Sequence, residues 1–139
     1  MVNQRELQER ILAYRILQSK LDDNVKERDL ITNKLIEVEN TLVSIDEMKE
    51  TKEETAFPMG SDVYVFAKNS NKEKLMIGIG ANILMEKTFE ESKEILNKSK
   101  KEFEKTLDDI QKEINQISCS IEEMTPELQE MIEKSQRAD

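Results

Sequence analysis

The period of hydrophobicity changes twice along this chain, and those changes limit the folds open to it. From Leu7 to Ile45 apolar residues recur in alternating steps of three and four, and from Phe89 to Met131 they do so again. Between them, Thr55 to Lys87 carries alternation with a period of two. A three–four step lines side chains along one helix face, as in a coiled-coil heptad. A period of two sends alternate side chains to opposite faces of a strand. The expected fold is α+β: two long helices forming an antiparallel coiled coil, joined by a central two-hairpin β-insert. The expected divisions are an N-terminal helix over 1–54, a hairpin assembly module over 55–87 and a C-terminal helix over 88–139.

The first seam reads Leu7, Arg10, Tyr14, Leu17, Leu21, Asn24, Arg28, Ile31, Leu35, Val38, Leu42, Ile45. No glycine or proline interrupts it, so nothing ends the helix before the charged run at 49–54. At about 1.5 Å per residue it would run roughly 60 Å. Arg10, Asn24 and Arg28 are polar seam positions, suited to setting register and orientation.

The second arm opens at Thr88, a candidate N-cap, with Glu91 three residues on to complete a capping box. Its seam runs through Phe89, Lys93, Leu96, Lys100, Phe103, Leu107, Ile110, Ile114, Ile117, Ile121, Met124, Leu128 and Met131. The two arms then pair seam to seam, Ile45 near Phe89 and Leu7 near Leu128. Pro126 falls inside this pattern. Either Thr125 caps a fresh turn with Pro126 at its first position, or the helix kinks there.

In the insert, Val63 to Lys68 alternates β-branched and aromatic residues with others, and Asn69 to Lys72 supplies turn chemistry. Further strands follow at 75–79 and 83–86, and Ala56 to Gly60 reads as a short edge strand. Gly78 and Gly80 mark a bulge, bend or close backbone approach. A lone Gly78-Ile79-Gly80 without a third glycine, a strand-to-helix turn or a downstream acid is weak evidence for nucleotide binding. Isolated hairpins are marginal in water, and apolar edges invite pairing. Several copies or related subunits are therefore expected to pool their hairpins into a barrel-like body. The residues assigned to that assembly are Val63, Val65, Phe66, Leu75, Ile77, Ile79, Ile83 and Met85.

Composition narrows the function. Charged residues make up 37% and aromatics only 4%, a usage that favours long helices over a dense core. The net charge of −9 argues against nucleic-acid binding and against a polybasic membrane anchor. There is no histidine and a single cysteine, Cys119, so no disulfide framework or zinc spacing exists. Without the commonest general base, a phosphate loop or a core to house a pocket, we expect no catalysis, metal or cofactor. With no signal-like or membrane-length apolar run, the expected location is cytoplasmic.

Apolar residues off the seam point to a binding surface. Ile11 flanks the first seam, while Leu12 and Ile16 fall on its far side. Antiparallel pairing brings Leu7, Ile11, Leu12 and Ile16 beside Met124, Leu128, Met131 and Ile132. Flexible, Met-rich apolar surface suits weak binding of many partners. These eight residues form the expected substrate-binding tip.

Four stretches carry a family resemblance over nearly the whole chain: Phe57-Pro58-Met59-Gly60, the strand Val63-Tyr64-Val65-Phe66-Ala67-Lys68, Ile77-Gly78-Ile79-Gly80-Ala81-Asn82 leading to Glu86-Lys87-Thr88, and Met124-Thr125-Pro126-Glu127. With two hairpins between equal arms, the chain resembles archaeal-type alpha subunits of the prefoldin family rather than the one-hairpin beta class. The resemblance implies an ATP-independent co-chaperone, a hexamer of two alpha-type and four beta-type subunits with a double β-barrel body. Coiled-coil tips would hold unfolded client proteins and deliver them to a group II chaperonin. In the family the beta-type tips contribute much of the chaperonin contact, so no residue here is assigned to it. The alternatives are a gamma-type, filament-forming relative or a purely structural coiled-coil protein.

Overall fold

The computed structural model describes residues 3–138. Its elements follow in the order α1 (Gln4–Glu50), β1 (Thr55–Gly60), β2 (Val63–Ala67), β3 (Lys74–Gly80), β4 (Ile83–Thr88) and α2 (Phe89–Arg137). Two long helices thus flank two hairpins, as the change of period requires. The chain divides into two compact units. One comprises residues up to Asn33 together with those from Phe103 onward; the other is Lys34–Glu102.

In the first unit the early part of α1 lies antiparallel to the later part of α2. Ile110, Ile114, Ile117 and Leu128 are buried there, each from the seam. Ion pairs mark the register: Arg10 Nη1 lies 2.7 Å from Glu127 Oε2, and Lys20 Nζ lies 2.9 Å from Glu113 Oε1. Asn24 is buried in this seam, and its Nδ2 reaches no hydrogen-bond partner.

Helix α2 runs unbroken through Pro126. Thr125 does not cap a new turn; its hydroxyl donates to the Ile121 carbonyl at 2.7 Å. Proline removes one N–H from the ladder, and Leu128, two residues beyond it, remains buried. The seam keeps its phase, so the proline is absorbed locally.

The second unit holds the remaining helical segments and both hairpins. Asp46–Lys93 at 2.8 Å and Glu39–Lys100 at 3.8 Å lie one heptad apart on both helices, and Lys49–Glu90 at 2.9 Å continues the series. Ile45 and Phe89 are buried and line one cavity with Met48, Phe57 and Leu75. Helix α2 begins where the capping chemistry placed it: the Glu91 N–H donates to Thr88 Oγ1 at 3.1 Å.

The hairpins are a structural repeat. β1 pairs with β2 and β3 with β4, both antiparallel, and each pairing recurs 20 positions later, Phe57↔Val65 becoming Ile77↔Met85. The ladders slip at the same place, between Pro58 and Gly60 and between Gly78 and Gly80, leaving Met59 and Ile79 as bulged residues. Gly60 and Gly80 both have φ of 112°, a region open to glycine. The loops Ser61-Asp62 (φ 51° and 60°) and Ala81-Asn82 (52° and 59°) have positive φ at both central positions, the type I′ pattern that matches strand twist. Burial repeats too: Thr55, Phe57 and Ala67 are half-buried, as are Leu75, Ile77 and Lys87. No sheet larger than two strands forms among the described residues.

Candidate functional site

Two surfaces combine apolar character with exposure, one in each unit. In the first unit a groove of about 380 Å³ is lined by Ile11, Tyr14, Arg15, Gln18, Thr125, Leu128, Gln129 and Ile132. Its α1 wall is built at positions 11, 14, 15 and 18, and its α2 wall at 125, 128, 129 and 132. Each wall follows i, i+3, i+4, i+7, the spacing of one helix face. The floor is aliphatic, while Arg15, Gln18 and Gln129 contribute a polar rim. Gln18 donates to the Tyr14 hydroxyl at 3.1 Å, steadying the aromatic ring in the wall.

Of the eight residues expected at the tip, Ile11, Leu128 and Ile132 line this groove. Leu7, Met124 and Met131 are half-buried along the seam. Leu12 and Ile16, one helical turn apart, stand 59% and 58% exposed outside it. Tyr14 was read only as a seam residue and Thr125 only as a candidate cap, while Arg15, Gln18 and Gln129 were not singled out from sequence. Their heptad spacing beside the seam was legible, but polar groups at flanking positions look like an ordinary solvated face.

Ion pairs flank this surface. Arg10 also meets Glu6 at 3.6 Å, and Lys134 Nζ lies 2.8 Å from Glu130. The Lys134 hydrogen bond holds the Glu130 carboxyl below its usual range. Lys20 does the same to Glu113, chiefly through its hydrogen bond and then its charge.

The second surface is the pair of hairpins. Val63, Val65, Phe66, Ile79, Ile83 and Met85 are exposed, while Leu75 and Ile77 are half-buried. Met59, Tyr64, Met76 and Leu84 are exposed as well, so apolar groups stand on both faces of each ribbon. Phe66, at 73%, is the extreme case. Contiguous apolar surface of this kind marks an interaction site, and two-stranded ribbons cannot cover it themselves.

Among the described residues, no three His, Cys, Asp or Glu side chains are placed to hold a metal ion. No helix among the described residues is long and apolar enough to cross a membrane. Cys119 is an exposed free thiol.

The fold is thus a coiled-coil helix pair that carries an apolar groove in one unit and uncovered twin hairpins in the other. Residues 17–134 match the family model described as Prefoldin subunit, and the chain belongs to the prefoldin family. It is 31% identical over 87 residues to a prefoldin subunit alpha of Thermofilum pendens, a match covering 61% of this chain and 67% of that one. A prefoldin subunit alpha of Methanopyrus kandleri is 32% identical over 97 residues, covering 68% and 61%. The "Probable prefoldin subunit 3" of Dictyostelium discoideum is 26% identical over 98 residues, covering 68% and 49%. The chain thus spans between about half and two thirds of the length of these relatives. The fold is similar to that of filamentous PFD from Methanocaldococcus jannaschii, with a TM-score of 0.70 and 20% identity over 83% of this chain and 97% of that one.

Proposed function

We propose that this chain is an alpha-type prefoldin subunit: a non-catalytic co-chaperone whose hairpins assemble and whose paired helices hold unfolded proteins. Its partners would be beta-type subunits in a hexamer of two alpha and four beta chains, unfolded clients, and a group II chaperonin that receives them in the cytoplasm. The division into arm, assembly module and arm belongs to the same reading. The observation that carries it is the groove of the first unit. An aliphatic floor takes the side chains that only an unfolded chain exposes, and the Gln18 and Gln129 amides answer its unpaired backbone groups. Neither demands a particular sequence, so binding is broad and weak, and nothing in it consumes a nucleotide.

In this reading Ile11, Leu128 and Ile132 form the floor, Leu7, Met124 and Met131 back it along the seam, and Leu12 and Ile16 add a second exposed apolar strip on the outer side of α1. The test uses the exposed members, whose replacement does not disturb the seam. A chain carrying Leu12→Ser, Ile16→Ser and Ile132→Ser, assembled with a beta-type partner, should lose most of its suppression of aggregation by a denatured client, followed by light scattering. Undiminished suppression in a complex of normal mass overturns the assignment.

A second reading treats the uncovered hairpin faces as the whole function, in a filament or scaffold whose arms bind nothing. Native mass separates the two. A closed species with beta-type subunits supports the first, and an open series from this chain alone supports the second.

A further inference from the structure

We propose that Lys72 is the positioning residue that fixes both hairpins to the helices, by capping the C-terminus of α1 from the connector between them. The last carbonyls of a helix have no partner within it and need donors from elsewhere. A glycine in the left-handed conformation commonly provides that closure. Here α1 ends in Met48-Lys49-Glu50 and continues into Thr51-Lys52-Glu53-Glu54, where there is no glycine. The Thr51 N–H continues the ladder to the Glu47 carbonyl at 2.9 Å, but this leaves the outermost carbonyls open.

Lys72 closes them. Its ammonium donates to the Met48 carbonyl at 2.7 Å and to the Thr51 carbonyl as well, and the side chain is part-buried. A cation at this end of a helix also meets the negative pole of the peptide dipoles. Both bonds have an ionised donor, and such bonds are stronger than neutral ones.

The connector is shaped to present this group. Asn71 Oδ1 accepts from the N–H of Glu73 and of Lys74, each at 3.0 Å, a local turn that sets the backbone on either side of Lys72. Strand β2 ends at Ala67 and β3 begins at Lys74. One peg between the hairpins therefore sets where both leave the helix end. On the reading that the hairpins are the assembly module, this peg decides whether their faces are presented in a single arrangement to neighbouring subunits.

The test is Lys72→Met, which keeps the aliphatic stem and removes the donors, with Lys72→Arg as the conservative rescue. Lys72 bonds only carbonyls, so amide hydrogen exchange on the full chain reads the peg through the Asn71 turn that it holds in place. In Lys72→Met the Glu73 and Lys74 amides should exchange about tenfold faster or more, with the hairpin ladders and the seam unchanged. Lys72→Arg should restore most of the protection. Native mass of the complex with beta-type subunits reads the consequence: Lys72→Met should lower the closed species and broaden the distribution. Unchanged exchange overturns the peg. Faster exchange with a normal mass distribution overturns its role in assembly. A parent chain that forms no complex refutes the assembly reading instead, while the exchange comparison still decides the peg.

Discussion

Replacing Asn24 with leucine should stabilise the helix pair of the first unit. Asn24 occupies a seam position, is 9% exposed, and its Nδ2 is buried with no partner. Behind Lys20, the amide also lowers the Glu113 carboxyl through a hydrogen bond, but this is the weakest influence on that group, and its geometry is too poor to satisfy the buried Nδ2. A buried polar group left unpaired costs about 1–3 kcal/mol. Burying a leucine in its place contributes up to about 1.5–3 kcal/mol where the fit is complete. The two side chains are close in size, and the α2 seam beside this stretch is aliphatic, with Ile110 and Ile114 buried. Allowing for imperfect packing, the net gain should be about 2 kcal/mol. For a chain of this length that corresponds to a rise in Tm of about 5–10 °C. The assay is thermal unfolding of parent and Asn24→Leu by circular dichroism, at one fixed protein concentration because assembly shifts apparent stability. A Tm equal to or below the parent's would refute the reasoning, since it would mean that the amide is satisfied in solution. The persistence of a costly asparagine at this position fits register-setting, so Asn24→Leu should also admit alternative pairings. A cysteine pair placed at the Lys20 and Glu113 positions should then crosslink less completely in the Asn24→Leu background.

Ala81 occupies a left-handed turn position at φ 52° where its Cβ is unfavourable, so Ala81→Gly should raise stability by about 1 kcal/mol. A loss of stability in urea unfolding would show that the second hairpin's loop is not strained. The carboxyls of Glu90 and Glu113 are held below the usual value of 4.5, by the hydrogen bonds and charge of Lys49 and Lys20 respectively. Their contribution is therefore present above 4.5 and is lost as pH falls through the lowered values. Lys93, raised above 10.5 by the hydrogen bond and charge of Asp46, contributes fully below 10.5 and loses that contribution as pH rises through the raised value. Thermal stability should thus fall at both extremes, and the acid limb should flatten in Glu90→Gln with Glu113→Gln; an unchanged limb would show that these exposed pairs contribute nothing. Salt should shrink the effect, since all are surface pairs.

Much of the architecture was legible because it rests on periodicity, which a single stretch of chain reveals. The unbroken three–four step named every buried aliphatic of the helix pairs, from Ile45 through Leu128. Thr88 and Glu91 announced the start of α2 through capping chemistry confined to four residues. The hairpin repeat was harder to see. Phe66 and Glu86 are equivalent positions, as are Ala67 and Lys87, and the likeness lies in backbone register rather than side-chain identity. Pro126 was ambiguous for a related reason. Capping and kinking are both local options; the helix runs on through Pro126, and the Thr125 hydroxyl bonds back to Ile121 rather than capping a new turn.

By itself the sequence determined which residues face a helical seam, which lie on strands, and that the hairpins lack a core of their own. Those properties follow from the spacing of side chains within one element. Only the tertiary structure decided what is built between elements. The groove sets Gln18 and Gln129 beside apolar residues that antiparallel pairing had already placed together, and the Arg10–Glu127 pair joins residues 117 positions apart. Lys72 reaches back 24 residues to the Met48 carbonyl and 21 to that of Thr51. No periodicity records such contacts, because they depend on how far one helix slides along another and on where a connector comes to rest. Both are settled when ion pairs and caps find partners that the linear pattern does not name.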